Sequence, residues 1–199
     1  MMARMSEQIH IQAVMLSDDG TFPNNPKLPL LVYPGAFLPF GKDRAAEIET
    51  RFGGNGWRGM WRNGIYSRHH YHSEAHEALG VYRGTAKVQF GGPNGPVIEV
   101  KAGDAVVLPA GTSHKLIEAT SSFAVVGAYP PGQQPDLCFG KPEERPGAHD
   151  RIAVVPIPHT DPVLGPKGGL IDTWGGTILS GGSAESGAAV AQKAVPRHA

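Results

Sequence analysis

The stretch Arg68-His69-His70-Tyr71-His72-Ser73-Glu74-Ala75-His76-Glu77 holds four of the chain's nine histidines. In extended backbone the side-chain period is two, so His70 and His72 share one face while His69 and Tyr71 take the other. Two imidazoles ~6–7 Å apart along one strand face can converge on a metal ion, and a carboxylate a few residues on can close a third position. Neutral imidazoles with one carboxylate suit a borderline divalent ion such as Fe, Mn, Ni or Zn.

Working outward, the chain from Tyr66 to Tyr129 consists of short β-branched and aromatic runs. Turn signals separate them at 83–85, 91–95, 101–104 and 120–122. Such a series predicts an antiparallel sheet that curls into a barrel or sandwich. Near its end, Gly103-Asp104-Ala105-Val106-Val107-Leu108-Pro109-Ala110-Gly111-Thr112-Ser113-His114 closes a strand with a Pro-x-Gly turn and presents one more histidine.

Taken together, the two stretches resemble the paired motifs of the cupin superfamily. Gly64, five residues, His70-x-His72, four residues, Glu77, six residues and Gly84 match the first motif. Gly103, five residues, Pro109-x-Gly111, two residues and His114 match the second, with Glu118 where an Asn is usual. The flanking Trp61-Arg62-Asn63-Gly64-Ile65-Tyr66 and Val126-Gly127-Ala128-Tyr129-Pro130 are similar to a bacterial single-cupin group typified by YjlB. The resemblance implies an all-β double-stranded β-helix (jelly-roll) barrel, a homodimer, and His70, His72, Glu77 and His114 as ligands of one divalent transition metal. An open coordination position would separate such a site from a closed structural one.

His76 rivals Glu77 as the fourth ligand; a strand with Leu79 and Val81 facing inward places Glu77 inside and His76 outside. By the same parity Arg68 and Tyr66 join the inward face, where a guanidinium and a phenol could hold a substrate carboxylate. Trp57, Arg58, Trp61 and Arg62, at spacing four, are expected to pack against the barrel end, and Cys138 to be a small buried hydrophobe. The reading that follows is an enzyme, an oxygenase (dioxygenase) or an isomerase or lyase, acting on a small, carboxylate-bearing molecule. A non-catalytic metal-dependent small-molecule-binding protein is the alternative, because the fold hosts many chemistries.

Composition bounds the remainder. Eighteen basic and eighteen acidic residues leave zero formal charge, which gives no reason to expect nucleic acid as a partner. The longest apolar runs fall far short of the ~18 residues that a membrane helix needs. Residues 1–10 carry Arg4 and Glu7 where a secretory signal would be apolar, and one cysteine permits no internal disulfide, so the cytoplasm is expected. Glycines number 27 and prolines 18, against about 14 and 10 at average usage, which favours many short strands and turns. One short N-terminal helix is expected from Asp43 through Ile48 and Phe52 to Gly53 and Gly54. The proline-rich segment 130–166 is expected to wrap the barrel, with a strand-like run at Ile152 to Ile157. The organisation expected is one domain over 1–179, with its motif core at 60–130 and a mobile tail at 180–199.

Overall fold

The computed structural model describes residues 9–180. Among them the strands are β1 (Gln12–Val14), β2 (Leu30–Tyr33), β3 (Arg58–Asn63), β4 (Glu77–Arg83), β5 (Thr85–Phe90), β6 (Val97–Lys101), β7 (Ala105–Leu108), β8 (His114–Ala119) and β9 (Ala124–Tyr129). They form two antiparallel sheets, ordered β1-β2-β7-β4-β9-β3 and β6-β5-β8. The turns between β4 and β9 fall where the sequence places them.

Alternation along the strands shows why the sheets face each other. Leu79, Val81, Val106, Leu108 and Val125 of the larger sheet join Ala86, Val88, Phe90 and Val100 of the smaller in one buried cluster, the barrel interior. The intervening residues Leu31, Tyr33, Ala78, Val107, Val126 and Ala128 belong to a second cluster that includes Ile48, Phe52, Leu170 and Trp174 from helices. A sheet covered on both faces needs apolar residues at every position, so β2, β7 and β9 are unbroken apolar runs. The smaller sheet exposes one face, which carries Lys87 of β5 and Glu118 of β8 as an exposed ion pair at 3.0 Å. Glu118, the departure from the usual motif, thus lies on the outer surface.

Helix α1 (Arg44–Gly54) is the one expected: Asp43 Oδ1 accepts from Ala46 N at 3.1 Å, and Ala45, Ile48 and Phe52 are buried. The C-terminal segment differs from expectation. It wraps the barrel through two further helices, α2 (Arg145–Val154) and α3 (Leu170–Ser180), and the run from Ile152 begins inside a helix and not on a strand. In α2, Pro146 occupies the first turn, where its missing N–H costs nothing, and Ala148 and Ile152 are buried four apart. In α3, Leu170 and Trp174 bury the same spacing against the larger sheet, and this packing outweighs the low helix propensity of Gly175 and Gly176. The expected tail at 180–199 lies outside the described residues, apart from Ser180.

Asp161 ties this wrap to the sheet. Fully buried, it accepts from Tyr33 Oη at 2.6 Å, from Val163 N and Leu164 N at 2.7 and 2.8 Å, and from Leu170 N at 2.7 Å. The last bond satisfies an N–H that the first turn of α3 would otherwise leave without a partner. Asp161→Ala would strand several buried donors at once, and a loss of about 3 kcal/mol is expected in urea unfolding. A loss under about 0.5 kcal/mol would show that water replaces the carboxylate and that the staple is dispensable.

Candidate metal centre

The site lies where the two sheets open. Glu77 begins β4 in the larger sheet and His114 begins β8 in the smaller. The segment carrying His70 and His72 is laid beside β8 by an isolated antiparallel bridge, His70 N to His114 O at 3.2 Å and His114 N to His70 O at 3.0 Å. The Pro109-x-Gly111 turn adds a third tie, Gly111 N to His72 O at 2.7 Å. Gly111 has φ +92°, and a Cβ there would lie 2.7 Å from the Asn24 carbonyl oxygen, so only glycine fits both the turn and the contact.

One ring nitrogen on each of the three histidines is already committed. Nδ1–H of His70 donates to the Arg68 carbonyl at 3.2 Å, that of His114 to the Thr112 carbonyl at 3.3 Å, and that of His72 to the Asp136 carbonyl. This leaves the Nε2 atoms to face a shared space, and the ligand atoms of the three residues lie within 4.8 Å of one another. Glu77 Oε2 stands 3.4 Å from His114 Nε2 and 3.6 Å from His72 Nε2, is buried, and has no hydrogen-bond partner. Two atoms held by one ion at ~2.1 Å are separated by ~3–4 Å, a spacing met by Glu77 Oε2 toward His72 and His114, while the group whose ligand atoms all lie mutually within 4.8 Å is the three histidines without Glu77. The other carboxylate oxygen, Oε1, accepts from Tyr129 Oη at 2.9 Å, and Tyr129 in turn accepts from the Trp61 indole N–H at 3.1 Å.

The comparisons with known proteins agree with this architecture. The cupin domain family matches residues 59–126. The uncharacterized protein YjlB of Bacillus subtilis (strain 168) is 42% identical over 163 residues, 82% of this chain and 96% of that protein. The chain is a cupin of the YjlB-like group. Among solved structures, this cupin is similar to an acireductone dioxygenase from Bacillus anthracis with a cadmium ion in its active center (12% identity, 54% of this chain and 82% of that one, TM-score 0.39). It is also similar to a double-stranded β-helix protein from Klebsiella pneumoniae (17% identity, 70% and 86%, TM-score 0.34). Likenesses of this degree say nothing about chemistry.

Within the cupin barrel, Glu77, Leu79 and Val81 do share the inner side, and His76 faces away from the site. His76 is nonetheless fully buried: Nδ1 accepts from Ala110 N at 2.9 Å and the ring lies 4.9 Å from that of Trp174. His69 is also turned away, with Nδ1 3.1 Å from Ser113 Oγ and its ring against Phe22.

Arg68 departs from expectation. Tyr66 O accepts from Leu116 N at 2.8 Å, yet it is His70 that pairs with His114, so four residues on this side span two on the other. The surplus bulges outward and breaks the parity on which the inward placement of Arg68 rested. Arg68 is exposed, with its guanidinium 3.4 Å from the centre of the Phe139 ring. Tyr66 stays at the site, its ring 4.9 Å from that of His70 and its side chain half exposed at the mouth of a cavity of about 340 Å³.

Several residues of this cavity had no assigned role in the sequence. Trp61 forms a wall and does not pack at the barrel end, and Trp57 lies in the cluster between the larger sheet and the helices. The signal for it was Gly127, its cross-strand partner on β9, where a Cβ would fall 2.1 Å from the indole. Asp136 and Leu137 come from the loop after β9. The Asp136 carboxylate accepts from Ser73 N and Oγ at 2.6 and 2.5 Å, Glu74 N at 3.2 Å and Cys138 Sγ at 3.2 Å, which steadies the carbonyl behind His72. Cys138 is buried as expected, and burial with the Asp136 charge pushes its thiol up to about 11.

Electrostatics divides the histidines. Burial lowers His70, and burial with the neighbouring His70 holds His114 down at about 3, so both are neutral. Burial alone would also lower His72, but the Glu77 carboxylate overrides it and lifts His72 to about 9. Glu77 would be raised by burial, yet His72 and His114 bring it down to about 2. The metal-free cupin therefore keeps His72 as the imidazolium, with a proton on each ring nitrogen, at pH 7. Histidine NMR of metal-free protein should show His72 titrating near 9, and in Glu77→Gln, where only burial remains, below ~6.5. A His72 titration that does not move in the variant would mean that the pair is uncoupled.

Proposed function

We propose that this cupin holds one divalent transition metal, Fe, Mn, Ni or Zn, on His70, His72, His114 and Glu77. There it acts as an oxygenase or as an isomerase or lyase on a small molecule bound at the coordination position left open. The observation that carries this reading is the convergence of three Nε2 atoms whose Nδ1 partners are all carbonyls, beside a buried Glu77 oxygen that accepts no hydrogen bond among the described residues. A carbonyl behind each imidazole fixes the tautomer that leaves Nε2 free to ligate. An orphaned buried carboxylate oxygen is costly unless a cation meets it.

When bound, such an ion polarises a chelating hydroxyl or carbonyl or, if redox-active, makes dioxygen reactive. The chain's own residues have definable parts. Tyr129 keeps its proton, because burial and the Glu77 charge push its hydroxyl well above the ordinary range, and it holds Glu77 with Oε2 turned toward the histidines. Tyr66 offers a hydroxyl at the mouth, where it can orient a bound molecule. The burial of Glu77 and His114 limits water at the site.

The second reading, a non-catalytic protein that uses the metal to hold its ligand, is favoured by one observation. Apart from the proposed ligands, the only carboxylate lining the cavity among the described residues is that of Asp136, already committed to its four donors. Dioxygen uptake by the iron-loaded protein with candidate substrates separates the two readings. In either reading the protein is proposed to be a cytoplasmic homodimer; sedimentation checks the assembly.

Elemental analysis after reconstitution should find close to one metal per chain, with His70→Ala and His114→Ala nearly empty. Glu77→Ala should bind about tenfold or more weakly. Chelation should lower the melting temperature and leave the far-UV spectrum folded, since the barrel interior does not depend on the site. Absence of metal after reconstitution with all four ions would sink the assignment, and unfolding on chelation would make the metal structural.

A further inference from the structure

Beyond the proposed ligands, the cavity offers a ligand almost no charge to pair with. Of the charged side chains that line it, Arg62 is bound by both its Nε and Nη2 to Glu49 of α1, at 2.6 and 2.7 Å. Asp136 is likewise committed to its own donors. Arg68, the other arginine close in sequence, lies on Phe139 outside the lining. The uncommitted polar groups at the mouth are neutral: the Tyr66 hydroxyl and the Asn63 amide nitrogen.

The rest of the wall is largely apolar, made by Trp61, Ile65, Leu79, Pro135 and Leu137 with the ring of Tyr66. Trp61 is fixed on two sides, since its N–H is held by Tyr129 Oη and its ring lies against Gly127 with no room for a Cβ between them. A wall that is already rigid loses little entropy when a ligand docks on it. The volume, about 340 Å³, lies at the small end of the range of ligand pockets, so it suits a small ligand.

We propose that the cavity selects a small aromatic molecule that carries a single pair of chelating oxygens and no second charged group. Dicarboxylates whose second carboxylate lies beyond reach of the metal, phosphorylated sugars and sugar nucleotides are excluded, because a second anionic group would enter the cavity without a free cation to meet it. This deepens the metal reading and rests on it: the ion takes the oxygens, and the Trp61 side of the cavity takes the ring.

The test uses full-length protein loaded with Co(II), whose visible spectrum reports first the metal alone and then added chelators. Three hydroxamates share one chelating group: acetohydroxamate, benzohydroxamate and the monohydroxamate of succinic acid. Benzohydroxamate should bind about tenfold or more tightly than acetohydroxamate through burial of its ring. The succinic probe should bind no better than acetohydroxamate. Glu49→Gln, which leaves the cavity wall in place and releases Arg62, should improve the succinic probe by about threefold or more and leave benzohydroxamate unchanged.

Equal binding of the acetyl and phenyl probes would overturn the aromatic assignment. Succinic binding as tight as phenyl in the parent protein, or no gain for the succinic probe in Glu49→Gln, would overturn the charge argument. Each of these results leaves the metal reading intact. No cobalt spectrum in the metal-only titration would instead remove the metal reading, and this proposal with it.

Discussion

Three main-chain hydrogen bonds sew His70 and His72 onto the barrel, and the geometry of the site follows from them. His70 and His114 exchange two, and Gly111 donates the third to His72. These bonds bring the two stretches of motif sequence, some forty positions apart, into one ladder. The histidine spacing is thereby fixed by backbone pairing, so little side-chain entropy remains to be lost when a ligand is gripped. Glu77 is added from the other sheet, which makes the site a bridge across the barrel's open end. Its charge, in turn, decides the protonation of His72.

The larger sheet accounts for the stiffness behind that bridge. Its strands are packed on the inside by the smaller sheet and on the outside by α1 and α3, so β4, which carries Glu77, cannot shift without disturbing both clusters. Asp161 extends the same logic to the C-terminal wrap by fastening Tyr33 of β2 to the start of α3. The loop after β9 then returns to the site, and Asp136 supports His72 with its main chain while its side chain is itself held by Ser73, Glu74 and Cys138.

Much of this was legible in the residues. The turns, the α1 cap at Asp43, the shared face of His70 and His72, and the inward side of Glu77, Leu79 and Val81 follow from period, spacing and glycine position, whereas His114 joins them through the resemblance to the cupin motifs. Parity failed at Arg68 because it presumes an unbroken ladder, and the pairing of this segment with β8 is interrupted between Tyr66 and His70. Helices α2 and α3 escaped because, among the described side chains, each buries one spacing of four, Ala148 with Ile152 and Leu170 with Trp174, amid prolines and glycines that speak against a helix. Trp61 and Asp136 reach the site from β3 and from the loop after β9. Nothing local to either residue shows that contact, because it depends on strand order.

Gly127 does not line the cavity, yet the cavity's width is set there. The Trp61 indole rests on a strand position where the side chain is a hydrogen atom. Any larger residue would drive the ring forward into the space a ligand would use and pull the Trp61 N–H away from Tyr129. Size selection and the orientation of Glu77 are thus coupled through one position behind the wall. A lineage of this barrel could retune both together with a single methyl group and leave every residue facing the ligand unaltered.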